Sequence, residues 1–409
     1  MQITATSWLL YQLTNSAFQL GLNGIFRAIP SVAFALFGGT LADRWNRRRL
    51  MLTTQVTLML LAFLLGLLVQ TGRVALWHIY ALTLVSAIVG GVDAPARQSL
   101  FPSLVPSSVL PNAIALNSLL FKGTVIIGPA LAGITITLIG TDGAFYANAA
   151  SFLAVVLALI LMKTPMAKPS LRKRFLADLQ EGISYVVNQK MLLGIMCMEA
   201  VSSVFGLDQA MLTIFARDVL HEGAQGLGLL QSSRGLGAVT GSLILIFLGQ
   251  PAAQGKLLLA SAFLCAVSFA LFGISNFFPL SLFMLFLVGA SDTIWAATRN
   301  TILQVQTADQ MRGRVMGVFS VSNRGLTPLG QVETGFVVPV LGARETTLLG
   351  GLIVALVTSI TAWKIPAIYR FLWRQENLAA AQSNPPDEKD AMGLSTAPPP
   401  PERPPGSLS

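Results

Sequence analysis

Seven ionisable side chains sit inside long apolar runs of this 409-residue chain: Arg27, Lys122, Glu199, Asp208, Arg234, Arg324 and Glu333. In hydrocarbon such a group costs several kcal/mol unless it is paired or hydrated, so each is a candidate for a proton, ion or substrate pathway. The chemistry open to the three carboxylates is reversible protonation, because burial favours the neutral acid and a nearby cation or water favours the anion. Asp208, flanked by Gly206 and Gln209, is the first candidate for a proton carrier. Glu333, beside Gln331 and Thr334 and downstream of Arg324, is the second, and Glu199 the third. Arg27, Asn117, Lys122, Gln209, Arg234 and Arg324 could line a central cavity, with Gln12, Asn23, Gln231, Trp295 and Asn323 on compatible helix faces. Metal or cofactor chemistry is not expected, since two histidines (His78, His221) and two cysteines (Cys197, Cys265) are too few and too scattered. The nearest approach to a phosphate loop, Gly249 to Leu257, has one residue too many and no Ser or Thr after Lys256, which excludes ATP-driven pumping. An enzyme is therefore not expected, and neither is a channel, for want of a filter sequence or a ring of charge.

The elements that must position these groups are transmembrane helices. The chain is 53% hydrophobic and 11% charged, with a mean hydropathy of +0.67, too little charge to coat a water-soluble surface of this size. A spanning helix needs about 20 predominantly apolar residues. Apolar runs at 18–41, 50–70, 75–96, 111–139, 143–162, 191–216, 224–248, 256–274, 277–298, 313–340 and 346–365 predict eleven of them. The opening stretch from Met1 to Leu13 is apolar but would form only about 20 Å of helix, so it is expected to be the second half of a truncated first span rather than a signal peptide. When alternate connections are assigned to opposite sides, twenty of the 27 Lys and Arg fall on one side, Arg299 among them, and only Arg73, Arg217 and Arg344 on the other. Cations accumulate in cytoplasmic loops, so the C-terminus is expected in the cytoplasm. The net charge of +9 then reports topology rather than a nucleic-acid surface.

The longest connection divides the chain into an N-terminal bundle (1–162), a cytoplasmic linker (163–190), a C-terminal bundle (191–365) and a tail (366–409). In the linker, Phe175, Leu179, Ile183 and Val186 recur at helical spacing, which predicts an amphipathic linker helix. The tail turns charged and proline-rich beyond about Glu376 and is expected to be disordered. A faint repeat relates GGVD at Gly90 to Asp93 with GASD at Gly289 to Asp292, in spans six apart. Two six-helix halves in one orientation are the parallel pseudo-symmetry of a transporter with a midplane cavity.

The connection after the second span reads Gly39-Thr40-Leu41-Ala42-Asp43-Arg44-Trp45-Asn46-Arg47-Arg48-Arg49. It resembles the signature loop of the major facilitator superfamily, GxxxD[RK]xG[RK][RK], with Asn46 at the second glycine, where a left-handed backbone remains accessible to asparagine. The resemblance implies an all-α major facilitator fold of two six-helix bundles in pseudo-twofold arrangement, and a gate that locks the cytoplasmic ends through Gly39, Asp43, Arg44, Arg47 and Arg48, with Asp93 and Arg97 as partners and Arg47 the nearest match to the paired position. Gly128-Pro129-Ala130-Leu131-Ala132-Gly133 resembles the core of the antiporter motif and implies a helix bend at Gly128, Pro129 and Gly133. The family's arginine before this motif is Val125 here, with Lys122 one turn away. The strings ARQSLFPSLVPSSVLPNAIALNS, FARDVL, GLGLLQSSRGLGAVTGSLIL and RGRVMG resemble the branch that contains the enterobactin exporter and macrolide efflux proteins. What this implies is proton-coupled efflux, by alternating access, of a small amphipathic molecule such as a drug or siderophore, by a monomer in the bilayer of a bacterial inner or plasma membrane, with no cofactor and no nucleic acid. The rival expectation is a transport-inactive relative acting as a sensor or scaffold.

Overall fold

The apolar runs return as helices in a computed structural model that describes residues 1–44, 46–100, 104–106, 109–162, 175–249 and 253–371. For residues 32, 35–44, 47, 99, 111, 114–115, 118–119, 121–122, 175–179 and 324 the description is of the backbone alone. In chain order the helices are α1 (Gln2–Thr14), α2 (Ala17–Arg44), α3 (Arg47–Gln70), α4 (Leu76–Leu100), α5 (Leu110–Leu161), α6 (Phe175–Asn188), α7 (Lys190–Phe205) and α8 (Gln209–Ile214). A π-helical turn (Phe215–Val219) follows, then α9 (Gly223–Leu248), α10 (Gln254–Ile274), α11 (Phe278–Val305), α12 (Asp309–Leu341), α13 (Ala343–Lys364) and α14 (Pro366–Tyr369). No strand occurs among the described residues.

α5 carries two of the expected spans, and Gly140 is where they meet. Its φ of 83° and ψ of 173° leave helical space, a conformation open to glycine because it lacks a Cβ. Eight helical segments among the described residues are long and apolar enough to cross a membrane. Their outer faces are apolar too: Leu138, Phe247 and Trp363 are 76%, 86% and 81% exposed, an arrangement that lipid tolerates and water does not.

Helices in lipid gain little from the hydrophobic effect and associate through close backbone packing and hydrogen bonds. The two halves of the chain meet in that way, α2 on α12 and α5 on α9. A Cβ on Gly228 of α9 would lie 2.8 Å from the Pro129 carbonyl oxygen and 3.2 Å from Gly133 Cα. The Ser232 hydroxyl adds a hydrogen bond to the Ile126 carbonyl at 2.7 Å. The small residues of 128–133 thus form a contact surface for α9, with Pro129 inside α5, and the non-helical residue of α5 is Gly140.

Four expectations need correction. The run 191–216 is broken, with α7 ending at Phe205, Gly206 to Asp208 extended or non-helical, and α8 starting at Gln209. Asn46 is not left-handed: its φ is −63°, and its side chain caps α3 by accepting the Arg48 and Arg49 amides. That role follows from the short polar side chain, which satisfies first-turn donors left without helical partners. Arg299 is not a loop cation but is buried within α11. The tail cannot begin at 366, because α14 packs with Ile368 fully buried and the Gly255 amide donates to the Phe371 carbonyl. The expected disorder beyond Glu376 lies outside the described residues. The linker helix is present as α6, docked on α12 by an ion pair of 2.7 Å between Glu181 and Arg314.

Candidate functional site

The break between α7 and α8 leaves first-turn amides of α8 without helical acceptors, and Asp208 supplies them. Its Oδ1 accepts from the backbone amides of Ala210 at 2.5 Å and Met211 at 3.0 Å. Its Oδ2 accepts from the Thr334 hydroxyl of α12. Arg27 of α2 and Glu333 of α12 both lie within electrostatic range of this carboxylate. Three elements from both halves of the chain therefore converge on two carboxyl groups and one guanidinium. Asp208, Glu333 and Arg27, named separately in the sequence, belong to one cluster. Arg27 also lines a cavity of about 200 Å³ with Asn23, Thr6, Ser7, Thr83 and Ser86.

Two larger cavities flank the cluster. One, of about 640 Å³, lies between α1, α5, α9 and α11, with Gln209, Gln231, Asn148 and Thr124 among its polar lining. The other, of about 250 Å³, lies within the C-terminal half and is lined by Asp208, Glu199, Trp295, Arg299 and Asn323 among others. Arg234 of α9 and Asp292 of α11 line both cavities and pair across 3.5 Å. Of the expected cavity residues, Gln209, Gln231 and Arg234 line the largest of the three spaces, Trp295, Asn323 and again Arg234 the one within the C-terminal half, and Asn23 and Arg27 the smallest. Asn117 is exposed and lines none of the three. The side chains of Lys122 and Arg324 lie outside the described residues.

Glu199, the third carboxylate, forms a buried ion pair with Arg299 of α11 and accepts the side-chain amide of Asn323 of α12. The Arg299 guanidinium is held between the rings of Trp295 and Phe319, at 4.5 and 4.6 Å from their centroids. Sequence reasoning missed this arrangement by ending the tenth span too early. The signal was available in Asp292, Trp295 and Arg299, whose i, i+3, i+7 spacing puts all three on one helix face.

At the connection between α2 and α3, Gly39, Asp43, Arg44 and Arg47 lie outside the residues whose side chains are described. Asp93 is buried and accepts from the Thr54 hydroxyl at 2.6 Å and the Gln55 amide at 2.9 Å, both on α3. Arg97 is exposed in the last turn of α4. Arg48 donates to the terminal carbonyls of α5, Leu159 at 2.6 Å and Ile160 at 2.5 Å, a cationic cap on the negative end of that helix.

A cross-half contact that the sequence did not suggest joins α1 to the π-helical turn. The Tyr11 hydroxyl donates to the Asp218 carboxylate. Arg217 donates to the Tyr11 carbonyl at 2.7 Å, and its guanidinium sits 5.1 Å from the centre of the tyrosine ring.

Two helical halves around polar cavities, with a buried ion pair in one of them, are an architecture that solved membrane transporters share. The nucleoside transporter NupG superposes with a TM-score of 0.65 at 15% identity, over 90% of this chain and 94% of that one. A bacterial homolog of the human lysosomal transporter Spinster gives a TM-score of 0.66 at 13% identity, over 91% and 95% of the two chains. The family model described as transmembrane secretion effector, of the major facilitator type, matches residues 1–388, and the chain belongs to that family. The enterobactin exporter EntS of Citrobacter koseri is 24% identical over 77% of this chain and 75% of its own length. The uncharacterized MFS-type transporter YfiS of Bacillus subtilis is 25% identical over 91% of this chain and 93% of its own.

Proposed function

We propose that this transporter exports a small amphipathic molecule in exchange for protons, by alternating access, from the cytoplasm across a bacterial inner or plasma membrane, as a monomer with its C-terminus cytoplasmic. The observation that carries the reading is that Asp208, at the broken helix, lies within electrostatic range of both Arg27 and Glu333, where α2 packs against α8 and α12. Two acids beside one guanidinium leave a net negative charge in a low-dielectric setting when both are ionised, and taking up one proton removes it. That proton changes the attraction between halves of the chain, since the cation and the acids sit on opposite sides of their junction. The cavity of about 640 Å³ between the halves lies within the 300–1,000 Å³ typical of small-molecule sites. Relatives named as enterobactin exporters make a siderophore of that kind a cargo to try first.

The cytoplasmic gate is assigned to Gly39, Asp43, Arg44, Arg47 and Arg48, with Asp93 and Arg97 at the facing helix end. The outer gate is assigned to Tyr11, Asp218 and Arg217, because these join the first helix to the seventh span across the two halves. In proteoliposomes loaded with enterobactin, Asp208→Asn is expected to abolish the dependence of transport on an imposed pH gradient, while leaving helical content and insertion intact. An unchanged pH dependence would remove Asp208 from the coupling site. For the outer gate, Tyr11→Phe is expected to raise the maleimide labelling rate of Gln231→Cys from outside several-fold, in a background lacking Cys197 and Cys265. Equal rates in the two proteins would count against the latch.

A further inference from the structure

The stretch from Trp363 to Phe371 builds a cationic corner at one end of the C-terminal half that the transport reading leaves unused. α13 stops at Lys364, and α14 is a single turn flanked by Lys364 at one end and Arg370 at the other. That turn is seated on the start of α10. The Gly255 amide donates to the Phe371 carbonyl at 3.2 Å, a Cβ on Gly255 would collide with the Ile368 carbonyl oxygen, and the Ile368 side chain is fully buried. Backbone touches backbone there, which fixes Tyr369 against Lys256 of α10: the ammonium lies 5.1 Å from the centre of the tyrosine ring.

Two features of the corner point to a ligand. One is uncompensated charge. Lys256, Lys364 and Arg370 are all exposed, none is ion-paired with a described carboxylate, and neither α10 nor residues 346–371 contain an Asp or Glu. The other is that exposed apolar rows end at these cations. On α13, Leu352, Leu356, Ile360 and Trp363 are exposed at helical spacing, and on α10 Phe263 is exposed two turns from Lys256 on the same face. The two helices are in close contact, since a Cβ on Gly351 would lie 2.7 Å from the Ala270 amide nitrogen. Tryptophan and tyrosine beside lysine and arginine, at the end of an apolar row, are the composition that settles at headgroup depth in a bilayer.

We propose that this corner binds an anionic phospholipid, its phosphate held by Lys256, Lys364 and Arg370 and its acyl chains laid along the exposed rows of α13 and α10. Ammonium groups attract phosphate as point charges, and a guanidinium forks onto two of its oxygens. A zwitterionic headgroup brings an ammonium of its own towards three cations, so the site selects on net charge. A lipid rather than a soluble anion is the occupant because the apolar rows and the exposed Trp363 ring adjoin the cations, and free phosphate would use neither. The site shares no residue with the three cavities and is independent of cargo and of proton exchange.

Trp363 reports the site by fluorescence. The purified full chain in neutral detergent micelles is titrated with phosphatidylglycerol or phosphatidylcholine whose acyl chains are brominated near the headgroup. The difference between the parent protein and Trp363→Phe isolates the quenching of Trp363. Each cation near an anionic lipid strengthens binding by about fivefold, so half-quenching is expected at a mole fraction of phosphatidylglycerol lower by about tenfold or more than that of phosphatidylcholine. Combining Lys256→Ala, Lys364→Ala and Arg370→Ala is expected to erase that preference, whereas Lys256→Arg with Lys364→Arg should keep it, which separates lost charge from lost folding. Equal quenching by the two lipids in the parent protein, or an undiminished preference in the triple alanine variant, would overturn the proposal. Quenching relieved by sodium phosphate but not by sodium chloride at the same ionic strength would assign the cations to a soluble anion and overturn it equally.

Discussion

Gly228→Leu is expected to prevent accumulation of the folded protein, the largest effect of any single change considered. The added Cβ alone would stand 2.8 Å from the Pro129 carbonyl oxygen and 3.2 Å from Gly133 Cα. Both are backbone atoms of α5, so relief requires moving a helix rather than turning a side chain. Overpacking a well-filled interior costs about 1–3 kcal/mol and more where backbone must shift, and here the shift would also part Ser232 from the Ile126 carbonyl. The measurement is the yield of monodisperse protein after detergent extraction, together with its thermal midpoint. Gly228→Ala should lower the midpoint by several degrees, and Gly228→Leu should leave little to measure. Gly90→Ala is the control, since nothing lies within 4 Å of a Cβ placed there and alanine is the better helix former. A Gly228→Leu protein extracted with parental yield and midpoint would mean that α5 and α9 do not touch as described.

Arg299→Ala is expected to destabilise by roughly 3–5 kcal/mol, the range for removing one partner of a buried ion pair. Glu199 would keep its hydrogen bond from Asn323 but lose its only described cation, and the rings of Trp295 and Phe319 would lose the guanidinium between them. The penalty comes from the stranded charge more than from the lost attraction, which makes a second prediction inside the first. Combining Arg299→Met with Glu199→Gln should recover much of the stability, because neither partner is then charged. Thermal unfolding of the full chain in detergent reads both. Arg312→Ala provides the scale: its pair with Asp309 is solvent-exposed and should be worth less than about 1 kcal/mol. A midpoint for Arg299→Ala equal to that of Arg312→Ala would show that the Glu199–Arg299 pair is not made in the membrane.

Much of the frame was legible because hydropathy sums over about 20 consecutive residues and needs no knowledge of neighbours. The signature loop and the small residues of 128–133 pointed to the superfamily, and the family match over residues 1–388 bears that out. The three membrane carboxylates could be picked out for a similar reason, since an acid in an apolar run is conspicuous wherever it points. Their partners were not legible. Asp208 looked like an isolated mid-span charge, and the structure gives it a capping task at a helix break, with Thr334 supplied from 126 residues away. Arg299 looked like a loop cation because the apolar run seemed to stop at 298; α11 continues to Val305 and turns that side chain inward. Tyr11 and Asp218 carried no signal beyond their types, and they meet only because α1 lies beside the turn after α8.

By itself, the order of residues determined that this chain spans a membrane with helices, which family it belongs to, and which few side chains would be costly there. Tertiary structure alone decided how those side chains are grouped: Asp208 with Glu333 and Arg27, Glu199 with Arg299, Arg234 with Asp292. The reason is physical. Insertion free energy is a local sum along one helix, whereas the pairing of a buried charge depends on the rotation and depth of several helices at once, set by close contacts such as those at Gly228 and Gly133.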